Sequence, residues 1–278
     1  MKTFVFCIAA FLIAISPQGQ SQTDSIEETF VIRNDEFSID LEMDGGTITV
    51  VPSNDRRECR VLVSYPKNKT DVDVRYNQNR GQLDISVDSD NWDFSDGDNA
   101  PTVILELPFG PELSFAAHLK AGEADFEIGD LNIVDFQLRH WAGETKVNFQ
   151  EPNRMTMRTF DVNVKVGEVE LLNLGNALFE EADINSGIGE LTVDFKGEHL
   201  ERSTVRIDLD IGETSLLLPE FMGAKLRVSK FLFLSDIDYP NWFEKQGNYY
   251  YSENYDEAKK SLYLIISTGI GELDIKID

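Results

Sequence analysis

Gly-Glu pairs recur along the chain and carry its most regular set of side chains able to do chemistry. Five glutamates follow glycines at intervals of 21 to 24 residues: Glu123, Glu144, Glu168, Glu190 and Glu213. Stacked repeats would bring these carboxylates into one row, and carboxylate oxygens are the ligands that calcium and other hard cations prefer. One glutamate per repeat offers few ligands per ion, so a solvated acidic face is the favoured interpretation. A row of bound cations and a surface for a basic partner are the alternatives.

A second candidate surface is aromatic. Six of the eight tyrosines lie between residues 239 and 263, in the interval between Gly212 and a sixth Gly-Glu pair at Gly271. The candidates for a binding surface are Tyr239, Trp242, Phe243, Tyr249, Tyr250, Tyr251 and Tyr255. A cap over the open end of a repeat fold is the favoured interpretation. The alternative is a platform for sugar rings or for a protein, because aromatic side chains are enriched in recognition surfaces.

No spacing of polar residues indicates a catalytic site. His118, His140 and His199 are scattered, and neither H-E-x-x-H nor G-x-S-x-G occurs. A packed ring is the favoured interpretation for His140. Glycoside hydrolysis needs two carboxyl groups across a groove, but among 50 acidic residues such pairs arise by chance. The acidic loop at residues 88–99 lacks the ligand order of an EF-hand. The sequence therefore predicts neither an enzyme nor a cofactor.

The charge of the chain limits its partners. Fifty acidic against 25 basic residues give a formal net charge of −25, which opposes binding to nucleic-acid phosphates and to anionic membrane surfaces. An apolar content of 41% is enough for a packed core.

The first 21 residues predict a secretory signal. Lys2 precedes an apolar run at residues 4–15, and a polar segment follows. The run is shorter than the roughly 20 residues of a membrane-spanning helix, so we expect no transmembrane segment in the mature chain. We expect export to the periplasm, the cell surface or the medium. Cys7 would leave with the signal, and Cys59 is then expected to be a buried, inert thiol.

The elements that must position these residues are β-strands. After each Gly-Glu pair, apolar and polar residues alternate with the period of a strand, and a second alternating segment precedes each glycine. A turn signal falls seven to nine residues after each glycine. Each repeat is therefore predicted to be strand, turn, strand, turn. The inward positions before the glycines include Val164, Val166, Leu209 and Ile211.

Such units cannot bury an apolar face alone, so stacking into a parallel coil is the physical solution. We predict an all-β, single-stranded, right-handed β-solenoid-like array of 21–24-residue repeats. An up-and-down sandwich is the alternative. A β-rich N-terminal region at residues 22–100 is expected to be continuous with the repeat region at 101–278. An insertion at 231–263 supplies the aromatic C-terminal cap.

Several segments carry a family resemblance. LELP at residues 105–108, AGEADFEIGDLNI at 121–133, LLNLGNALFEEADINSGIGELTVDF at 171–195 and IGETSLLLP at 211–219 resemble the toastrack family. That is a bacterial extracytoplasmic group related to the C-terminal domains of LiaF-type envelope-response proteins and to adhesin repeats. The resemblance implies a β-repeat fold and an envelope location, with no established activity. The chain departs from the family in replacing many Gly-Ala-Gly repeats and in lacking the membrane helices of LiaF-type proteins.

These observations predict a non-catalytic extracytoplasmic interaction module that binds a protein or polysaccharide of the cell envelope. A soluble regulator of envelope-stress signalling is the second hypothesis, and a carbohydrate-active enzyme is the third. The sequence leaves the identity of the partner and the oligomeric state open.

Overall fold

The computed structural model describes residues 23–89, 100–230 and 235–278. These residues form seventeen strands and one 3-10 turn at Leu174–Asn176. The strands are β1 (Thr23–Val31), β2 (Glu36–Met43), β3 (Gly46–Pro52), β4 (Glu58–Pro66), β5 (Thr70–Asn77), β6 (Gln82–Ser89), β7 (Thr102–Leu107), β8 (Glu112–Glu127), β9 (Ile133–Asn148), β10 (Thr159–Leu172), β11 (Glu181–Asp194), β12 (Arg202–Leu218), β13 (Gly223–Lys230), β14 (Ser235–Asp238), β15 (Phe243–Gln246), β16 (Tyr249–Ser252) and β17 (Ser261–Ile277). All seventeen belong to one hydrogen-bonded sheet, which confirms the predicted all-β class. The predicted signal peptide and residues 90–99 of the acidic loop lie outside the described residues.

Six long strands form the regular part of the coil. β8, β9, β10, β11, β12 and β17 have 14 to 17 residues each and pair in parallel in that order. Their Gly-Glu pairs lie opposite one another in every pairing. The predicted parallel register is therefore confirmed.

The strands do not stop at the glycines, which corrects the predicted turn there. Each long strand runs through its glycine and bends at it, with φ between 122° and 148°, a conformation that glycine adopts at little cost. A Cβ built on Gly143 would lie 1.8 Å from the backbone oxygen of Gly122. Strand pairing continues on both sides of the bend, so each repeat has one bare corner and one true turn, and the turn lies at the predicted breaker.

Interior side chains from the two halves of each strand pack against one another. Phe115, Phe136 and Phe160 stack along the first halves of β8, β9 and β10, and Phe179, just before β11, continues the stack. Neighbouring ring centroids are 5.5 to 5.8 Å apart. Phe126, from the second half of β8, packs edge-on against Phe115 at 5.7 Å. The core is therefore one apolar column between two sheet faces. Cys59 of β4 is fully buried in it, as predicted, and burial raises the pKa of its thiol to about 12.

Two residues predicted to point inward are exposed. Val166 and Ile211 directly precede the corner glycines, and 47% and 44% of their surfaces are accessible. The prediction was wrong because it extended the strand alternation into the corner. Lys165 and Val166 are consecutive and both exposed, so the bend breaks the alternation.

The N-terminal strands continue the same sheet. β2 and β3 pair in parallel with the first and second halves of β8, and Gly46 lies opposite Gly122. β6 and β7 add a further parallel layer. Beyond them, β5 pairs antiparallel with β6, and β4 pairs antiparallel with β7. β1 in turn pairs antiparallel with β4.

At the other end, chain order and spatial order differ. β17 pairs with β12 on one side, and with β13 and β14 on the other. β17, the last strand in the sequence, therefore lies between β12 and the pair β13 and β14, which all precede it in the chain. Its Gly271-Glu272 pair continues the column of β12, which explains why it takes this position. The hairpin β15–β16 is attached to β13 through β16.

Candidate functional site

The glutamates of the repeats form one continuous row on the outside of the coil. Glu123, Glu144, Glu168, Glu190 and Glu213 lie opposite one another on successive strands, and Glu272 extends the row. We call these six residues the Glu row. All six are exposed, and adjacent strands lie about 4.8 Å apart. None of the six forms an ion pair with another described residue.

The positions beside the Glu row are mixed in chemistry. Two residues along the strands, the next outward column contains Asp125, Lys146 and Glu170. Lys146 Nζ lies 3.2 Å from Glu127. In the part of the chain that the structure describes, no three His, Cys, Asp or Glu side chains converge as a metal site. The arrangement favours a solvated row, and the cation alternative stays a prediction.

An apolar row runs beside the Glu row, on the other side of the corner glycines. Its members directly precede the glycines: Ala121, Ala142, Val166, Ile188, Ile211 and Ile270. The four β-branched residues are 44% to 50% exposed, and Trp141 beside Ala142 is 67% exposed. The apolar row, the bare glycines and the Glu row together are called the corner ridge. The repeated Val-Gly-Glu and Ile-Gly-Glu triplets were the signal for this surface in the sequence.

Strand alternation divides the aromatic candidates into two groups. Tyr250 of β16 points toward the core and packs against Tyr239, with ring centroids 5.0 Å apart. These rings and Phe243 close over Leu226, Val228, Ile237 and Ile275 at the C-terminal end of the coil. Trp242 packs against Phe243 at 5.2 Å and is half-buried. This group has the geometry of the expected cap.

The second group lies on the outer face around a lysine. Lys225 Nζ of β13 lies 4.3 Å from the ring centroid of Tyr249, 5.6 Å from Tyr251 and 4.9 Å from Tyr263. Tyr255 packs against Tyr251 at 5.3 Å. An ammonium group over aromatic faces is attracted by the ring quadrupoles. We call these four tyrosines and Lys225 the tyrosine cluster. Sequence reasoning missed Lys225 and Tyr263, because their strands are separated by the insertion.

The three histidines stay apart, and His140 is a packed ring as predicted. It is 1% exposed and lies opposite Val164 of the neighbouring strand. Its Nδ1 is 2.8 Å from Oγ1 of Thr145, across the corner. Burial lowers the pKa of His140 to about 4, so the ring is neutral at pH 7. His199 instead contacts Asn176 at an exposed turn.

Solved structures with similar folds have low sequence identity. A structure from Clostridium sporogenes named for cell adhesion is 14% identical, covers 92% of this chain and 100% of its own, and has a TM-score of 0.46. A Bacteroides fragilis structure named as an adhesin is 12% identical, with coverages of 92% and 98% and a TM-score of 0.35. One from Parabacteroides distasonis named for lipid binding is 9% identical, with coverages of 90% and 96% and a TM-score of 0.39. Comparison with curated proteins found no match.

Family models cover most of the chain. The C-terminal domain of LiaF, described as a cell wall-active antibiotics response protein, matches residues 166–275. Within the described residues, none of the helical structure is long and apolar enough to cross a bilayer. The model of the N-terminal toast_rack domain matches residues 15–169, more than half of the chain. The chain therefore belongs to the toast-rack family.

Proposed function

We propose that this chain is an exported, non-catalytic interaction module of the cell envelope or cell surface, which binds an envelope polysaccharide or protein. The observation that carries the proposal is the tyrosine cluster. Its rings are partly exposed on the outer face of paired strands, and they are not among the side chains packed against the core. The toast-rack and LiaF family matches support an envelope role.

The paired strands preorganise the tyrosine cluster for binding. Tyr263 stands on β17, Lys225 on β13, and Tyr249 and Tyr251 on β16. β13 lies between the other two strands and is hydrogen-bonded to both. Rings fixed on paired strands lose little conformational freedom when a partner binds, so less of the binding energy is lost to ordering. Phenol hydroxyls and the lysine ammonium add hydrogen-bond donors around the aromatic faces.

The net charge of the chain limits the chemical classes of partner that it can bind. A net charge of −25 repels anionic polymers. We therefore expect neutral or amino-substituted glycans, or a protein surface with basic groups, rather than phosphate-rich polymers.

The test uses variants on one strand. In Tyr249→Thr/Tyr251→Thr the outer rings of β16 are lost, while threonine keeps a residue suited to strands. Tyr250→Thr on the same strand is the matched control, because Tyr250 contacts the core. Binding to isolated cell walls and to a panel of soluble neutral glycans is measured by sedimentation and titration calorimetry, together with melting temperature and release of reducing sugar.

We expect the double variant to bind at least about tenfold more weakly with a nearly unchanged melting temperature. Tyr250→Thr should melt lower and bind as the wild type does while folded. Equal binding by the double variant, or no binding by the wild type, would overturn the role of the cluster. Release of sugar by the wild type would overturn the non-catalytic proposal.

A regulator of envelope-stress signalling is the second candidate function. The LiaF match over residues 166–275 favours it, because that family model is described as a cell wall-active antibiotics response domain. Crosslinking in cells separates the two candidates. Capture of a membrane-bound sensor supports the regulator, and capture of polysaccharide or surface proteins supports the adhesive module.

A further inference from the structure

The corner ridge has a pattern that neither the packing of the coil nor the tyrosine cluster explains. We propose that it binds a basic amphipathic α-helix of a partner protein, with the apolar face of the helix on the apolar row and its basic flank along the Glu row. This surface lies on a different part of the coil from the tyrosine cluster.

The apolar row is open along consecutive strands. Val166, Ile188 and Ile211 lie on adjacent strands, followed by Ile270, and about half of each side chain is accessible. Single exposed apolar residues are ordinary, but contiguous apolar patches on a soluble protein mark interaction sites. Trp141 lies beside the row, in the column that contains Lys120 and Lys165, and it is 67% exposed. Aromatic residues of this kind often anchor interfaces.

The charges beside the apolar row fix the orientation of the partner. On one side stand the six carboxylates of the Glu row, which have no ion-pair partner among the described residues. On the other side the charged residues next to the row have mixed signs: Lys120, Lys165 and Asp210. A complementary partner therefore carries its basic residues along a single flank of an apolar face.

Two open concavities beside the Glu row give long basic side chains a place to enter. The first is lined by Glu123, Asp125, Glu144, Glu168, Glu170 and Lys146, and the second by Glu190, Glu213, Glu272, Asp274 and Lys276. Lys146 pairs with Asp125 and Glu127, and Lys276 pairs with Asp274, so neither lysine neutralises the Glu row. The bare corner glycines lie between these concavities and the apolar row. A partner can therefore approach the backbone closely while its side chains reach both rows.

The spacing of the rows favours a helix over an extended chain. Successive side chains of the ridge are about 4.8 Å apart, so six strands span about 24 Å. A helix presents a new turn about every 5.4 Å, so over this length its turns fall out of step with the strands by only about 3 Å. An extended chain presents same-face side chains about every 6.7 Å, so over the same length it falls out of step with the strands by about 10 Å. A helix of about 16 residues therefore matches the ridge.

A second copy of this chain does not fit the ridge. Its described residues contain no α-helix to offer. Pairing two ridges with the Glu rows in register would bring like charges together, which opposes association. The described residues therefore favour a different protein as the occupant.

The test uses a synthetic peptide of about 18 residues, long enough to span the ridge as a helix. Leucines lie on one helical face and lysines along one flank. Two control peptides have the same composition: one is scrambled, and one alternates Leu and Lys with the period of a strand. Affinity for the folded protein is measured by fluorescence anisotropy at about 50 and about 300 mM salt, because screening weakens charge pairing.

We expect the helical peptide to bind at least about tenfold more tightly than either control and to weaken at the higher salt. Glu144→Gln/Glu168→Gln/Glu190→Gln/Glu213→Gln should lose at least about tenfold in affinity. The matched control, Glu151→Gln/Glu198→Gln/Glu201→Gln/Glu220→Gln, makes the same charge change near the opposite turns and should stay within about twofold. Ile188→Thr/Ile211→Thr should weaken binding at both salt concentrations.

Equal binding by the two quadruple variants, equal binding of the scrambled or alternating peptide, or no binding by the wild type would overturn the proposal. Circular dichroism and melting curves establish that each variant is folded. Tyr249→Thr/Tyr251→Thr should bind the helical peptide as the wild type does, so failure of this proposal and failure of the tyrosine cluster are separate results.

Discussion

The regular middle of the coil and its C-terminal end use strand alternation in different ways. In β9 to β12 each residue lies between equivalent residues of two neighbouring strands, so its column decides whether it is buried. In β16 two adjacent side chains lie on opposite faces of the strand. Tyr250 packs against the core, and Tyr251 lies on the outer face beside Lys225. Substitutions in the middle should therefore act through the backbone of neighbouring strands, and substitutions at the end through the side chain's own contacts.

The largest expected effect compares two glycines with positive φ. Gly167 has φ +139°, and a Cβ on it would lie 1.8 Å from the oxygen of Gly143. Gly247, in the turn between β15 and β16, has φ +65° and no described atom within 4 Å of its Cβ position. Gly167→Ala should cost more than about 3 kcal/mol of unfolding free energy, and Gly247→Ala about 1 to 2 kcal/mol. Urea unfolding of both variants measures the difference, and equal costs would refute the corner as a point of backbone contact.

A medium effect concerns the buried ring in the middle of the coil. The folded-state pKa of His140 is about 4, below the value of about 6.5 for an exposed histidine. Between these values the unfolded chain binds more protons, so stability rises with pH through this window and is lost as pH falls through it. Acidification through this window should therefore lower the unfolding free energy by about 3 kcal/mol, since one pKa unit corresponds to about 1.4 kcal/mol.

His140→Val tests this assignment, because valine occupies the equivalent position in the next strand. We expect the variant to lose the part of the pH dependence of unfolding that falls between pH about 4 and about 6.5. His199→Asn, at an exposed turn, is the control and should leave that dependence in place. If the pH dependence of unfolding is unchanged in His140→Val, the pKa of His140 is not lowered by folding and the assignment is wrong.

The smallest expected effect concerns the Glu row. Like charges on neighbouring strands destabilise a sheet, and an exposed pair is worth only about 0.2 to 0.3 kcal/mol because water screens it. Glu144→Gln/Glu168→Gln/Glu190→Gln removes four such pairs. It should therefore raise the unfolding free energy by about 1 kcal/mol at low salt, and the gain should fade as salt is added.

Calcium separates the two interpretations of the row. A solvated acidic face predicts the same melting temperature with millimolar calcium and with chelator, in the wild type and in the triple variant. A rise with calcium that is lost in the variant would establish cation binding and replace the solvated interpretation.

Much of the coil could be predicted because its sequence repeats. Each Gly-Glu pair marks the same position in a strand, so the alignment of the glutamates and the parallel register followed from spacing alone. The burial of Phe126, Val147 and His140 followed from alternation within each strand. These features depend on local order, which the sequence carries directly.

The features that were missed depend on contacts between distant segments. The exposure of Val166 could not follow from alternation, since the chain turns at Gly167. The position of β17 between β12 and β13 depends on which strands pair, and the alternation within a strand does not specify its neighbours. Lys225 joins the tyrosine cluster only because β13, β16 and β17 become neighbours.

The central claim is that the chain binds an envelope component through its outer surfaces. The most direct measurement is crosslinking of the tagged protein in its own cells, followed by analysis of captured protein and sugar, with Tyr249→Thr/Tyr251→Thr as the paired sample. The account predicts that the wild type captures envelope protein or polysaccharide and that the variant captures much less. Capture of nothing beyond the chain itself, or of the same material by both, would contradict it.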